Sequence, residues 1–254
     1  MEEIVIFLSF LVLTSAISGG HDTSITRYKW QLSLREEGIH FCGATLIDQE
    51  WGLTSAYCVD QRRPQGLSIR AGSANLVSQS LTDGFEVAVD YYIIYPRYNR
   101  LTHDSDLALL HFARNITEDI VLTVSLPFCI TCDVSSTSPT TMTGWGTLKP
   151  GEAFSKVLQM GYVSTISRDN CQFTYPGKVI TLNMFCAGYL RSQSLNINAC
   201  DGDFGGPAMV FNRLEGIISW GTGCGTSRFP TVMTRVAPFM HWIQQQTGLK
   251  FGLI

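Results

Sequence analysis

The sequence predicts an all-β chain closed by one C-terminal helix. Three observations carry that. Short apolar segments rich in β-branched and aromatic residues recur between Gly, Pro, Ser and Asn clusters, helical windows are scarce, and one helical period appears near the end. The segments, in order, are Trp30–Leu34, Phe41–Ile47, Leu67–Ala71, Phe85–Tyr95, Asp106–Phe112, Thr140–Trp145, Val157–Ile166, Gly206–Phe211, Gly216–Trp220 and Thr231–Val236. Val236, Phe239, Met240 and Ile243 then fall at three- and four-residue steps, one face of a helix. Pro238 suits a first turn, where its missing N–H costs nothing, and Gly248 marks the stop.

Composition narrows the function. In 254 residues the formal net charge is −3 and hydrophobic residues are 45%, so a packed core is expected and disorder is not. This mild acidity speaks against nucleic acid or an anionic membrane surface as partner. The 8 cysteines, an even count without metal-ligand histidine spacing nearby, point to disulfides and an oxidising compartment. No metal or cofactor is expected.

Ile4 to Leu13 form an apolar run broken only by Ser9, about half the length a bilayer span needs. With the small residues Thr14-Ser15-Ala16 after it, the run reads as a signal peptide cut after Ala16, although Glu2 and Glu3 stand where basic residues are usual. A buried strand is the alternative. Asn115-Ile116-Thr117 is an N-glycosylation sequon, which would place Asn115 on an exposed loop if used.

Seven ordered motifs then become specific. Phe41-Cys42-Gly43-Ala44-Thr45-Leu46-Ile47 is followed by Trp51-Gly52-Leu53-Thr54-Ser55-Ala56-Tyr57-Cys58, Asp104-Ser105-Asp106-Leu107-Ala108-Leu109-Leu110 and Gly144-Trp145-Gly146. Asn183-Met184-Phe185-Cys186-Ala187-Gly188, Cys200-Asp201-Gly202-Asp203-Phe204-Gly205-Gly206-Pro207 and Ile218-Ser219-Trp220-Gly221 complete the set. From Ile17 to about Ile243 the chain resembles the trypsin-like serine proteases of the chymotrypsin fold. The resemblance implies two packed six-stranded antiparallel β-barrels, at about 17–124 and about 125–246, and a C-terminal helix, all within one peptidase domain from Ile17 to Ile254. It pairs Cys42 with Cys58, Cys171 with Cys186 and Cys200 with Cys224. A further family bridge would join the positions of Thr140 and Val210, and both lack Cys. Cys129 and Cys132 remain, read as a local bridge, with an intermolecular bridge as the alternative; a redox Cys-x-x-Cys would want a helix N-terminus and a thioredoxin-like context, which this all-β pattern lacks.

The same resemblance marks departures at the reacting centre. Acyl transfer in this family runs through a nucleophile, a base and an orienting acid in hydrogen-bonded series. The base position holds Tyr57, a phenol that stays protonated at neutral pH, and the nucleophile position holds Phe204, which has no nucleophilic atom. Asp106 keeps the acid position and Ser219 its family partner. Losing nucleophile and base as a unit costs about a million-fold in turnover, roughly 8 kcal/mol of barrier. Gly202 and Phe204 occupy the oxyanion-hole positions. His40 matches a structural family histidine, and His103 reads as a cleft-wall residue rather than a relocated base; His21, His111 and His241 fall outside any motif.

The specificity-pocket floor holds Asn198 in place of an acid, so it cannot pair with Arg or Lys. Of two wall glycines one persists as Gly221 and the other is Thr231, whose branched side chain should narrow the pocket. Ile17-Ser18-Gly19-Gly20 and Asp203 match the family's N-terminal insertion pair, and cleavage after Ala16 would expose Ile17 directly.

The sequence therefore predicts a secreted monomer that is not an enzyme. In that reading it acts by binding proteins, as decoy, inhibitor or cofactor of a proteolytic or immune cascade, complement included. The alternatives are a weak, non-standard serine-type endopeptidase or hydrolase and a neutral relic.

Overall fold

The computed structural model describes residues 17–77, 83–147, 149, 151–189, 197–224 and 228–252. The expected signal peptide, with Ala16, lies outside them. Among the described residues thirteen strands run in chain order: β1 His21–Asp22, β2 Gln31–Glu36, β3 Ile39–Leu46, β4 Trp51–Thr54, β5 Leu67–Ala71, β6 Phe85–Ile94, β7 Ala108–Phe112, β8 Pro139–Gly144, β9 Gln159–Ile166, β10 Met184–Gly188, β11 Pro207–Val210, β12 Arg213–Trp220 and β13 Thr231–Arg235. The same residues hold three α-helices, α1 Ala56–Val59, α2 Arg168–Thr174 and α3 Met240–Thr247, and three short 3-10 turns. No helix among the described residues is long and apolar enough to cross a membrane.

Two antiparallel barrels result. The first closes in the order β2-β3-β4-β7-β6-β5. The second runs β9-β10-β13-β12-β11-β8 and closes through β8–β9, with β1 paired to the outside of β9. Period-two patterning is clean in β5, where Leu67, Ile69 and Ala71 are buried and Ser68 and Arg70 are not. Its partner β2 is buried on both faces because the second barrel covers its outer side. There Gln31 Oε1 accepts from Thr143 Oγ1 at 2.5 Å, a buried polar tie between the barrels.

The seam between barrels is apolar. Trp51, Leu53, Leu107 and Leu109 of the first barrel meet Met209, Leu214 and Ile217 of the second. Val236, Phe239, Met240 and Ile243 join this cluster, the residues whose spacing predicts the helix. Pro238 sits one element earlier than expected, in a 3-10 turn over Ala237–Phe239. Gly248 ends α3 in the left-handed conformation, at φ 73°.

The expected strands are present with ends shifted by a few residues. Strands β4 and β10 were not among them, because every residue of Trp51–Thr54 and of Met184–Gly188 is buried and shows no alternation. Helix α2 is a further element that the sequence pattern does not predict. It is seven residues long, and its local start signal is Ser167, whose hydroxyl accepts from the Asn170 N–H.

Four disulfides form, Cys42–Cys58, Cys129–Cys132, Cys171–Cys186 and Cys200–Cys224, and no described cysteine is free. Where the family's further bridge would lie, Thr140 pairs directly with Val210 across β8 and β11. We expect Thr140→Cys with Val210→Cys to close a disulfide here. Its long loop gives about 4 kcal/mol of stabilisation by loop entropy, read as a rise in denaturant midpoint that reductant reverses. An unchanged midpoint with the bond formed would show that strain cancels the gain.

Candidate functional site

The site lies where the barrels meet. Helix α1, entered from β4, carries Tyr57. The loop before β7 carries Asp106, and the turn before β11 carries Gly202, Asp203 and Phe204. Residues of both barrels line a cavity of about 910 Å³, among them Phe41, Tyr57 and Arg62 on one side and Phe154, Gly202 and Phe204 on the other.

Asp106 is fully buried. Its carboxylate accepts from the Tyr57 backbone N–H at 2.8 Å and from the Ser219 hydroxyl at 2.6 Å. Burial pushes its pKa up to about 7, while the bonds from Ser219 and from the backbone of Tyr57 and Ala56 hold it down. Asp106 is thus held in place by both contacts, and Tyr57 serves it with its backbone alone. The Tyr57 side chain is 51% exposed and stands edge-on to His103 and to Phe204, with ring centroids 5.9 and 6.0 Å away. His103 in turn lies against Trp220 at 6.5 Å. Its pKa is lowered by burial and, to a lesser extent, by Lys178. This aromatic row, Phe204–Tyr57–His103–Trp220, was not visible in the sequence; the left-handed φ of 56° at His103 shows how tightly that loop turns into the cleft.

The turn around Phe204 is locked by glycines that nothing larger could replace. Gly205 has φ 81°, and a Cβ there would sit 2.2 Å from Thr54 Oγ1 and 2.4 Å from the Gly43 carbonyl. Gly43 and Gly206 let the two backbones touch, for a Cβ at Gly43 would fall 2.7 Å from Gly206 Cα. The Phe204 carbonyl accepts from Gly43 N–H at 2.8 Å. Among the described residues the N–H groups of Gly202 and Phe204 donate no hydrogen bond within the protein. Two unspent donors flanking one tight turn are what an oxyanion hole requires.

His40 holds that turn from behind. Its Nε2 donates to the Gly202 carbonyl at 3.1 Å, and its Nδ1 lies 2.9 Å from Ser33 Oγ, from which it accepts. Burial drives its pKa down to about 3, with the Gly202 bond opposing. Phe154 packs edge-on against it at 5.1 Å and covers Gly202, where a Cβ would lie 2.7 Å from the Phe154 ring. The role of Phe154 had no signal in the sequence.

Asp203 is buried and accepts from the N–H groups of Gly146, at 2.8 Å, and Cys200, at 3.0 Å; burial raises its pKa to about 7. Ile17 is also buried, beside Met142, Val163 and Ile197. In the uncleaved chain Ile17 carries a peptide N–H rather than an amine, and no ion pair joins it to Asp203 among the described residues. Asn198 is buried, with its backbone N–H donating to the Ser18 carbonyl at 3.3 Å. Thr231 is buried and accepts from Ala199 N–H at 3.1 Å, and a Cβ on Gly221 would lie 4.0 Å from Thr231 Cα. These three candidate pocket residues are therefore neighbours, and the pocket is uncharged at Asn198 and Thr231; residues 190–196 and 225–227 lie outside the described part. Asn115 is on the exposed loop its sequon requires.

Comparison with known proteins places these features. The family described as Trypsin matches residues 17–243. A trypsin of Phaedon cochleariae is 35% identical over 236 residues, 92% of this chain and 89% of that protein. Cationic trypsin-3 of Rattus norvegicus is 36% identical over 253 residues, 94% and 96% of the two chains. Trypsin I-P1 of Gallus gallus is 34% identical over 232 residues, 90% and 88%.

These relatives correct the expectation that the chain is not an enzyme. That expectation rested on two side chains, Tyr57 and Phe204. The relationship extends over some nine-tenths of the chain, to proteins named as trypsins, and points to a serine endopeptidase. Physically, the triad is only one contributor to catalysis. Backbone donors and substrate binding are separate contributors, which the identity of two side chains does not report. With its two closed barrels, terminal helix and matched motifs, the chain belongs to the trypsin family.

Proposed function

We propose that the protein is a secreted endopeptidase of trypsin type with low turnover. It seats an extended polypeptide in the inter-barrel cleft and polarises the scissile carbonyl at the Gly202 and Phe204 N–H groups. Water attacks in place of a side-chain nucleophile, since Phe204 has none to offer: the water oxygen bonds to the carbonyl carbon, the C–N bond breaks, and one water proton passes to the departing amine while the new carboxyl group gives up the other to solvent. The observation that supports this reading is the pair of unspent N–H donors on a turn fixed by Gly205 and His40. Serine proteases stripped of their triad keep roughly 10³–10⁴-fold acceleration over water from oxyanion hole and binding alone. The uncharged Asn198 and the buried Thr231 favour a small, neutral residue before the scissile bond. Slow turnover leaves a bound polypeptide largely uncleaved, so protein binding is part of the same role. Secretion fits the four disulfides, which persist in oxidising compartments.

The test uses activated aryl esters of short neutral peptides, whose uncatalysed hydrolysis is fast enough to measure. We expect saturable hydrolysis above buffer that peptides without an ester compete away. A rate that rises linearly with ester and is matched by an unrelated disulfide protein would remove the reading.

A further inference from the structure

We propose that Cys129–Cys132 is a thiol-exchange site on the outer face of the second barrel, distinct from the cleft and selective over the other three bridges. The distinction begins with access. Cys42, Cys58, Cys171, Cys186 and Cys200 are at most 2% exposed, so each of the other bridges has a sulfur shut away in a core. Cys132 is exposed and Cys129 half-buried, and both line a pocket of about 230 Å³ that also holds Phe128 and Phe211. An incoming thiol therefore has a sulfur to reach and a space to occupy.

The rim of that pocket is unusual. Phe211 is 64% exposed and sits at φ 47°, followed by Asn212 at φ 62°. A bulky residue in the left-handed region is disfavoured, and here it heads the turn between β11 and β12 and presents an aromatic ring at the pocket mouth. Phe128, 44% exposed, carries the Arg213 guanidinium over its ring at 4.8 Å.

The loop also stays in place when the bond opens. A sequence separation of 3 means that only a tiny loop is released, against separations of 15 to 24 for the other bridges. The Cys132 carbonyl accepts from Arg235 Nη2 at 2.7 Å, and the Asp133 carboxylate pairs with Arg168 at 3.2 Å and Arg235 at 3.4 Å. These anchors do not involve sulfur, so the opened cysteines remain close and can reclose.

The step is an ordinary exchange with a low-molecular-weight thiol. The thiolate attacks Sγ of Cys132 and forms a new S–S bond. The Cys129–Cys132 bond breaks, and its electron pair leaves on Sγ of Cys129, which takes a proton from water. Reclosure by Cys129 releases the thiol again.

Glutathione redox buffers of graded poise, applied to the folded full chain and quenched with N-ethylmaleimide, test this by mass-spectrometric peptide mapping. We expect glutathione adducts and alkylation confined to Cys129 and Cys132, appearing at thiol concentrations about tenfold below those that open any other bridge, with the circular dichroism spectrum unchanged. A Cys129→Ser, Cys132→Ser variant should fold and show no adduct in that range. Labelling of all eight cysteines together, or of another bridge first, overturns the proposal.

Discussion

Restoring Tyr57→His and Phe204→Ser together raises peptidase turnover about a million-fold over the natural chain. The expectation rests on how much of the machinery already stands. Asp106 is fixed by Tyr57 N–H and the Ser219 hydroxyl, both contacts that survive the substitutions because one is backbone and the other lies elsewhere. An imidazole at 57 would take its place beside that carboxylate, as the resemblance implies, and a hydroxyl at 204 would stand on the same turn as the two donor N–H groups. Either change alone does little, since nucleophile and base act as a unit and the loss of one costs nearly as much as the loss of both. The double variant should cleave after small neutral residues. Adding Asn198→Asp and Thr231→Gly should move cleavage toward Arg and Lys, because an acid at the floor then pairs with the cation. Steady-state kinetics on a peptide series read both effects. A folded double variant no faster than the natural chain would mean that the cleft is not arranged for the family's chemistry.

The second large effect is on stability against acid. The folded pKa of His40, about 3, lies below its ordinary value of 6.5, so on acidification the unfolded chain takes the proton first. The stabilisation is therefore full above pH 6.5 and is lost as pH falls toward 3. The shift corresponds to about 5 kcal/mol across that window. Asp106 and Asp203 act with the opposite sign. Both are raised to about 7, so their contribution is full below pH 4 and is lost as pH rises to 7. A His40→Gln variant separates the two, because its amide can still donate to the Gly202 carbonyl while carrying no titrating group. Denaturant midpoints from pH 7 to pH 4 should fall for the natural chain relative to the variant, and the His40 ring resonances should stay flat in NMR titration. Parallel midpoints, or a ring that titrates near pH 6.5, would sink the argument.

How legible all this was in the sequence depended on range. Alternation in Leu67–Ala71 and the helical spacing from Val236 to Ile243 are local signals, and both became the elements they announce. The cleft residues were legible only through ordered motifs, since nothing in the neighbourhood of Tyr57 says that Asp106 will lie under it. The motifs are also silent about contacts made by residues outside them. Phe154 covers Gly202 from a loop with no pattern of its own, and His103 meets Trp220 because two barrels bring their loops together. Fully buried strands such as Met184–Gly188 erase the alternation by which strands are read. Inferring the absence of an enzyme from two side chains failed for a related reason, since side-chain identity reports on the triad while the donors of the oxyanion turn are backbone groups that any sequence carries.

Phe204 has one more consequence. Its ring packs against the hydrophobic clusters of both barrels, so the side chain in the nucleophile slot also acts as a wedge that fastens the two halves of the molecule. Exchanging it for a small hydroxyl removes on the order of 2 kcal/mol of apolar contact. Activity and cohesion therefore compete for a single position, and this chain has settled on the cohesive side of that exchange.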